Sequence, residues 1–180
     1  TLASANFTAG AGTLATNYTL PNSATGAAAI TTKTFTASII GTPTKVYDGA
    51  TGATLTNANF SLSGLIAGES FTVNQTAGAY NSKNVPSANS VSATLASGNF
   101  VAGAGTLLSN YTAPASASGA GTITPKTLQL ANVVAKNKVF DGNNKAEIAT
   151  YDFVGTVAGD AVLLDTSLAT ATFADSLVGN

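Results

Sequence analysis

The 180-residue chain contains no His, Cys, Met or Trp. Arg is absent too, so its seven basic residues are all Lys. Each absence removes a class of chemistry. Without His or Cys there is no imidazole base, no thiolate nucleophile, no disulfide framework and no zinc or haem site of the usual ligand types. Charged residues make up 8% of the chain and its net charge is −1. That leaves no basic stripe for a phosphate backbone, so nucleic acid is not an expected partner. No run approaches the roughly 18 apolar residues that cross a bilayer, so no membrane insertion is expected in this segment. The N-terminus shows no charged stretch followed by an apolar one, so no signal peptide is read here. Leu, Ile, Val and Phe together form about 23% of the chain, just above the level at which disorder becomes the default. Low charge gives little self-repulsion, which favours folding. Much of the hydrophobic class is Ala, which predicts thin cores in small modules.

Internal repetition sets the organisation. Residues 1–33 align without a gap on residues 94–126, with 23 of 33 pairs identical at a constant offset of 93. The same offset carries Lys45-Val46-Tyr47-Asp48-Gly49 onto Lys138-Val139-Phe140-Asp141-Gly142, and Tyr80–Val85 onto Phe173–Val178. Between them, Gly64-Leu65-Ile66-Ala67-Gly68-Glu69 matches Gly155-Thr156-Val157-Ala158-Gly159-Asp160 at an offset of 91, read as a two-residue length change in one turn. The expected organisation is the C-terminal part of one repeat (1–33), a complete repeat (34–126) and the N-terminal part of the next (127–180). Such a unit is too long for a short solenoid turn and matches the size of an immunoglobulin-type sandwich domain.

Small polar and larger apolar residues alternate in segments such as 33–39 and 70–73, the mark of half-buried strands. Gly, Asn, Asp, Ser and Pro punctuate these runs every eight to twelve residues or so. No segment sustains helical spacing. The expectation is an all-β fold of tandem immunoglobulin-like β-sandwich modules. Residues 29–35 and 122–128 read as short extended junctions, with Pro125 holding the backbone extended, and this predicts a semi-rigid rod.

Tyr47-Asp48-Gly49 and Phe140-Asp141-Gly142 read first as structural turns: an aromatic residue ends a strand, Asp accepts backbone N–H bonds and Gly takes a positive φ. The functional alternative is calcium, because Asp48 and Glu69 recur as Asp141 and Asp160, and oxygen ligands suit hard cations. The absence of an Asp-x-Asp-x-Asp run argues against it. A carboxylate pair suggests glycosidase chemistry, but a catalytic dyad in every module of an array is implausible. Gly10-Ala11-Gly12 and Gly103-Ala104-Gly105 lack the Lys-Ser/Thr and the helix of a phosphate loop. Tyr18 and Tyr111, each in an Asn-Tyr-Thr run, are expected to anchor the core, as a corner Tyr does in Greek-key sandwiches. Asn6, Asn17, Asn59, Asn74 and Asn110 match the glycosylation sequon at about the chance level for a chain so rich in Ser and Thr. Lys45 and Lys138, beside Asp48 and Asp141, make an isopeptide bond conceivable. No catalytic residue and no cofactor is assigned.

Lys-Val-Tyr-Asp-Gly, then Gly-x-x-x-Gly-Asp/Glu, then Tyr80/Phe173, Asn-Tyr-Thr and Ile123-Thr124-Pro125-Lys126 together resemble the YDG (and related MBG) tandem repeat of very large bacterial surface exoproteins and filamentous-haemagglutinin-like adhesins. The resemblance covers the whole chain. Phe140 departs from the motif Tyr, and Thr32 from the Pro at 125. The resemblance implies secretion, an extracellular or bacterial cell-surface location and a non-enzymatic role as an extended stalk or fibre. Neighbouring repeats are then the expected partners. The alternatives are a segment of a self-assembling filament, in which other copies of the chain are partners, and a glycan-binding adhesive module.

Overall fold

The computed structural model describes residues 1–179 and contains strands and short 3-10 turns but no α-helix among them. The chain divides into two units, residues 1–32 and residues 33–180. In the first, Ser4–Asn6 and Ala15–Asn17 form single 3-10 turns, no strand is present among the described residues and no side chain is buried. Its ties are local: the Ala3 N–H donates to Asn6 Oδ1 at 2.8 Å, and the Leu2 N–H to Asn22 O at 2.8 Å.

The second unit opens with twelve strands: β1 (Lys33–Thr34), β2 (Thr36–Ile39), β3 (Thr44–Val46), β4 (Gly52–Thr54), β5 (Phe60–Ser63), β6 (Phe71–Val73), β7 (Ala77–Tyr80), β8 (Ser90–Thr94), β9 (Phe100–Ala102), β10 (Tyr111–Thr112), β11 (Ser116–Ala120) and β12 (Thr122–Thr124). The alternation read from sequence is real. In β6 the two ends are buried around an exposed Thr72, and in β8 buried Val91 and Ala93 flank an exposed Ser92. β11, β8, β7 and β4 form an antiparallel four-stranded sheet, while β2 pairs with β5 and β6 with β9. Two parallel pairs, β1 with β10 and β3 with β12, tie the start of this stretch to its end. β11 lies so close to β2 that a Cβ on Gly119 would collide with the carbonyl oxygen of Ile39, a close approach only glycine allows.

Phe35, Phe71, Phe100 and Tyr111 form the aromatic centre of the core. Phe35 stacks on Phe71 at 5.4 Å and meets Phe100 and Tyr111 edge-on at 5.3 and 5.7 Å, the geometries aromatic quadrupoles favour. Leu55, Val91 and Ile123 close the core, with Ala53, Ala88, Ala93 and Ala117 filling it. Four alanines at core positions bear out the thin core expected from composition.

Four further strands follow: β13 (Gln129–Ala135), β14 (Lys145–Ala146), β15 (Ile148–Val154) and β16 (Ala171–Thr172). They repeat earlier pairings. Lys145 faces Thr172 as Gly52 faces Ala79, and Gln129 faces Val154 as Thr36 faces Ser63. The first match holds the 93-residue offset on both strands, whereas the second needs 91 on its later strand. The length change is therefore two compensating changes, not one. The 3-10 turn Asn57–Asn59 has no counterpart before β15, and two extra residues precede Phe173.

The junction is less continuous than its sequence suggests. β12 ends at Thr124, and residues 125–128 carry no strand before β13. Pro125 has no N–H to donate and so cannot extend a ladder. Residues 27–32 likewise form no strand.

Candidate functional site

The Lys45–Ala50 turn ends β3. Asp48 Oδ1 accepts the Ala50 N–H at 3.0 Å and the Lys45 ammonium at 2.6 Å, and Lys45 Nζ also donates to Ala50 O at 2.8 Å. Gly49 sits at φ +80°, as the structural reading of the motif requires. Lys45 Nζ lies 5.7 Å from the centre of the Tyr80 ring, within cation–π range. The second copy repeats these contacts and adds two from the Asn143 side chain, whose Oδ1 accepts from Lys138 Nζ and whose Nδ2 donates to Asp141 Oδ2, both at 2.8 Å. Lys138 Nζ donates to Asp141 at 2.7 Å and to Asn143 O at 2.7 Å, Gly142 takes φ +78°, and Phe173 lies 5.9 Å from the ammonium. A cation needs only the ring face, so Phe173 serves as well as Tyr80. The lysine first, and then the backbone N–H of residue 50 or 143, holds each Asp carboxyl below its ordinary value.

A second tie centres on Tyr111. Its hydroxyl donates to Glu69 Oε2 and accepts the Ile66 N–H at 3.1 Å, fastening the Gly64–Glu69 turn to β10. Burial first, then the Glu69 bond, pushes its pKa up. Buried Thr106 extends the same fastening, its Oγ1 accepting the Ser70 N–H at 3.1 Å. Tyr111 is thus the core anchor expected. Tyr18 is not; it is exposed, because none of the strands that cover Tyr111 has a counterpart in residues 1–32.

Past β12, Tyr47 and Gly49 meet the Gly155–Asp160 turn. Tyr47 and Asp160 line one cavity, and the pKa of the Tyr47 hydroxyl is raised, first by hydrogen bonding to Asp160, then by burial and the Asp160 charge. A Cβ on Gly49 would come within 2.9 Å of Val157 Cγ1. A cavity of about 140 Å³ is lined by Tyr47, Val85 and Lys126 from one side and Leu128, Val157 and Asp160 from the other.

The four weak calcium candidates are therefore not gathered. Asp48 and Asp141 face lysines, Glu69 faces Tyr111, and Asp160 faces Tyr47. Among the described residues no group of three or more acidic side chains converges, whereas Ca²⁺ takes six to eight oxygens. Of the two isopeptide candidates, Lys45 donates to the carbonyl of Ala50, which has no carboxamide, whereas Lys138 Nζ donates to Asn143 Oδ1 at 2.8 Å with Asn143 Nδ2 on Asp141 Oδ2 at 2.8 Å. Asn6 and Asn59 of the sequons cap 3-10 turns, and Asn74 accepts from Asn99 Nδ2 at 3.2 Å. The Lys45–Tyr80 pairing and Thr106 escaped sequence reading. The retained aromatic at 80 and 173 was a signal for the first, and nothing local marks the second.

No helix of the described residues is long and apolar enough to cross a membrane. Comparison with curated proteins and with solved structures gave no match. A protein-family model described as "YDG domain" matches residues 31–119 and 124–180, two stretches whose starts lie one 93-residue period apart. Matched over most of its length by that model, and built on two copies of the Tyr/Phe-Asp-Gly turn, the chain belongs to the YDG domain family.

Proposed function

We propose that this chain is a structural stalk or fibre repeat of a secreted or surface-anchored bacterial adhesin, acting as an extended, semi-rigid, non-enzymatic spacer. In this reading each 93-residue repeat is a sandwich-type brick, with the four-stranded sheet facing the β2–β5 and β6–β9 ribbons. One observation carries it: the polar residues that recur in register are engaged in ties within a repeat or across to the following one. Lys45, Asp48, Glu69 and Tyr111 fasten their own repeat, and Tyr47 reaches into the following turn. Few exposed ion pairs suit a rod whose stability is insensitive to salt. X-ray scattering from chains with increasing numbers of repeats tests the reading. The maximum dimension should grow linearly with repeat number; a compact particle would end it.

A second reading, assembly into an extracellular filament, is favoured by one feature. Charged residues make up only 8% of the chain, so few charges guard the edges of its short strands against pairing with another chain. Sedimentation showing concentration-dependent polymers would support it, and a strict monomer at high concentration would count against it.

A further inference from the structure

We propose that the tyrosine of the Tyr-Asp-Gly turn clasps consecutive repeats, its hydroxyl held by the acidic residue that ends the Gly-x-x-x-Gly-Asp/Glu turn of the next repeat. This deepens the spacer reading, and rests on it, by naming the groups that stiffen the joint.

The two sides of the contact come from different repeats. Tyr47 and Val85 belong to the complete repeat, and Val157 and Asp160 to the one that follows. Gly49 has a role here beyond its positive φ, because any side chain there would press on Val157. The Asp-Gly of the motif thus builds the turn, and Gly49 also leaves room for the neighbour. The acid has a further duty inside its own repeat: Glu69, the counterpart of Asp160, receives the Tyr111 hydroxyl on Oε2. A carboxylate has two oxygens and about four lone-pair directions. One acid can therefore accept the core tyrosine of its own repeat and the turn tyrosine of the preceding one. It couples the inside of a brick to its joint.

The clasp also explains a difference that the turn itself does not. The Lys–Asp turn at 138–142 is intact with Phe in place of Tyr, so the hydroxyl is dispensable to the turn. What Phe140 removes is the donor for the next acid. A repeat with Phe at this position would have a looser joint to its successor, so the array can grade its stiffness by a single oxygen atom per joint.

The test is amide hydrogen exchange on the full 180-residue chain and its variants Tyr47→Phe, Asp160→Ala and the double variant, with Tyr80→Phe as control. The probe is the Asp160 N–H, which donates to Val157 O at 3.0 Å. Each single variant should speed exchange across residues 155–160 by about fivefold, the effect of one lost hydrogen bond. The double variant should add little to either single one, because both remove the same bond. Val91 and Tyr80 should keep their protection, and Tyr80→Phe should leave the joint unchanged. The clasp is overturned by unchanged exchange at 155–160 in Tyr47→Phe, or by effects of the two single variants that add independently. Either failure leaves linear growth of the scattering dimension untouched, so the spacer reading would stand without this clasp.

Discussion

Tyr111 is 7% exposed and Tyr18 is 65% exposed, although 23 of the 33 residues around them are identical. Ile123 is 1% exposed and its counterpart Ile30 is fully exposed. The two copies nevertheless share their 3-10 turns and a backbone tie that closes over twenty residues. The 3-10 turns Ser4–Asn6 and Ser97–Asn99 match, and Asn6 and Asn99 accept from the backbone three residues back at 2.8 and 2.9 Å. The bond from Leu2 N–H to Asn22 O has its twin from Leu95 N–H to Ala115 O. The strands differ. β9, β10 and β12 each pair with a segment between residues 33 and 73, whereas residues 1–32 contain no strand among the described residues. Local sequence is enough for the turns, whereas the strands need partners about thirty to eighty residues earlier in their own repeat.

Paired substitutions should break or sharpen this contrast. The largest effect is expected at Phe100, whose ring packs on Phe35 and Phe71. Phe100→Ala should cost about 3–5 kcal/mol in urea unfolding, while Phe7→Ala at the matching position should stay within about 0.5 kcal/mol. Equal costs would show that residues 1–32 carry a core of their own. Next comes Ile123→Ala, expected to cost about 2–5 kcal/mol, against no measurable change for Ile30→Ala.

The repeated turns allow a finer comparison. Gly49→Ala meets both a left-handed φ and Val157, for about 2–4 kcal/mol in all. Gly142→Ala meets only the backbone strain, since nothing lies within 4 Å of its Cβ position, for about 1–2 kcal/mol. Thermal unfolding of both variants separates strain from contact.

The smallest effect concerns acid. Asp48 and Asp141 titrate lower when folded than their ordinary 3.8 because lysine and backbone N–H groups stabilise the carboxylates. A depressed folded value gives stability that is present above pH 3.8 and is lost as pH falls through the folded value. Asp48→Asn should therefore flatten the acid limb of a stability profile slightly and leave neutral pH nearly unchanged. Residues 1–32 contain no Asp, Glu or Lys and should contribute nothing to that limb.

What sequence could reveal divides along the same line. The period, the β class and the glycine turns at 49 and 142 are written in neighbouring residues or in direct self-comparison, and they were legible. Tyr111 was recognisable as a core anchor, but its identical twin Tyr18 was not distinguishable from it, because the difference lies in distant partners. The parallel pairs β1–β10 and β3–β12 leave no local pattern either. Their strands are two or three residues long, too short for alternation to register. The ammonium-to-ring contact at Tyr80 and the reach of Tyr47 to Asp160 span 35 and 113 residues, distances over which composition and spacing carry no geometry.

The most direct test of the account extends the chain at its N-terminus by a second copy of residues 34–93 and follows amide exchange at Phe7, Tyr18 and Ile30. If the 93-residue repeat is the unit of folding, those amides should slow to the rates of Phe100, Tyr111 and Ile123. Exchange that stays as fast as in the unextended chain would contradict it.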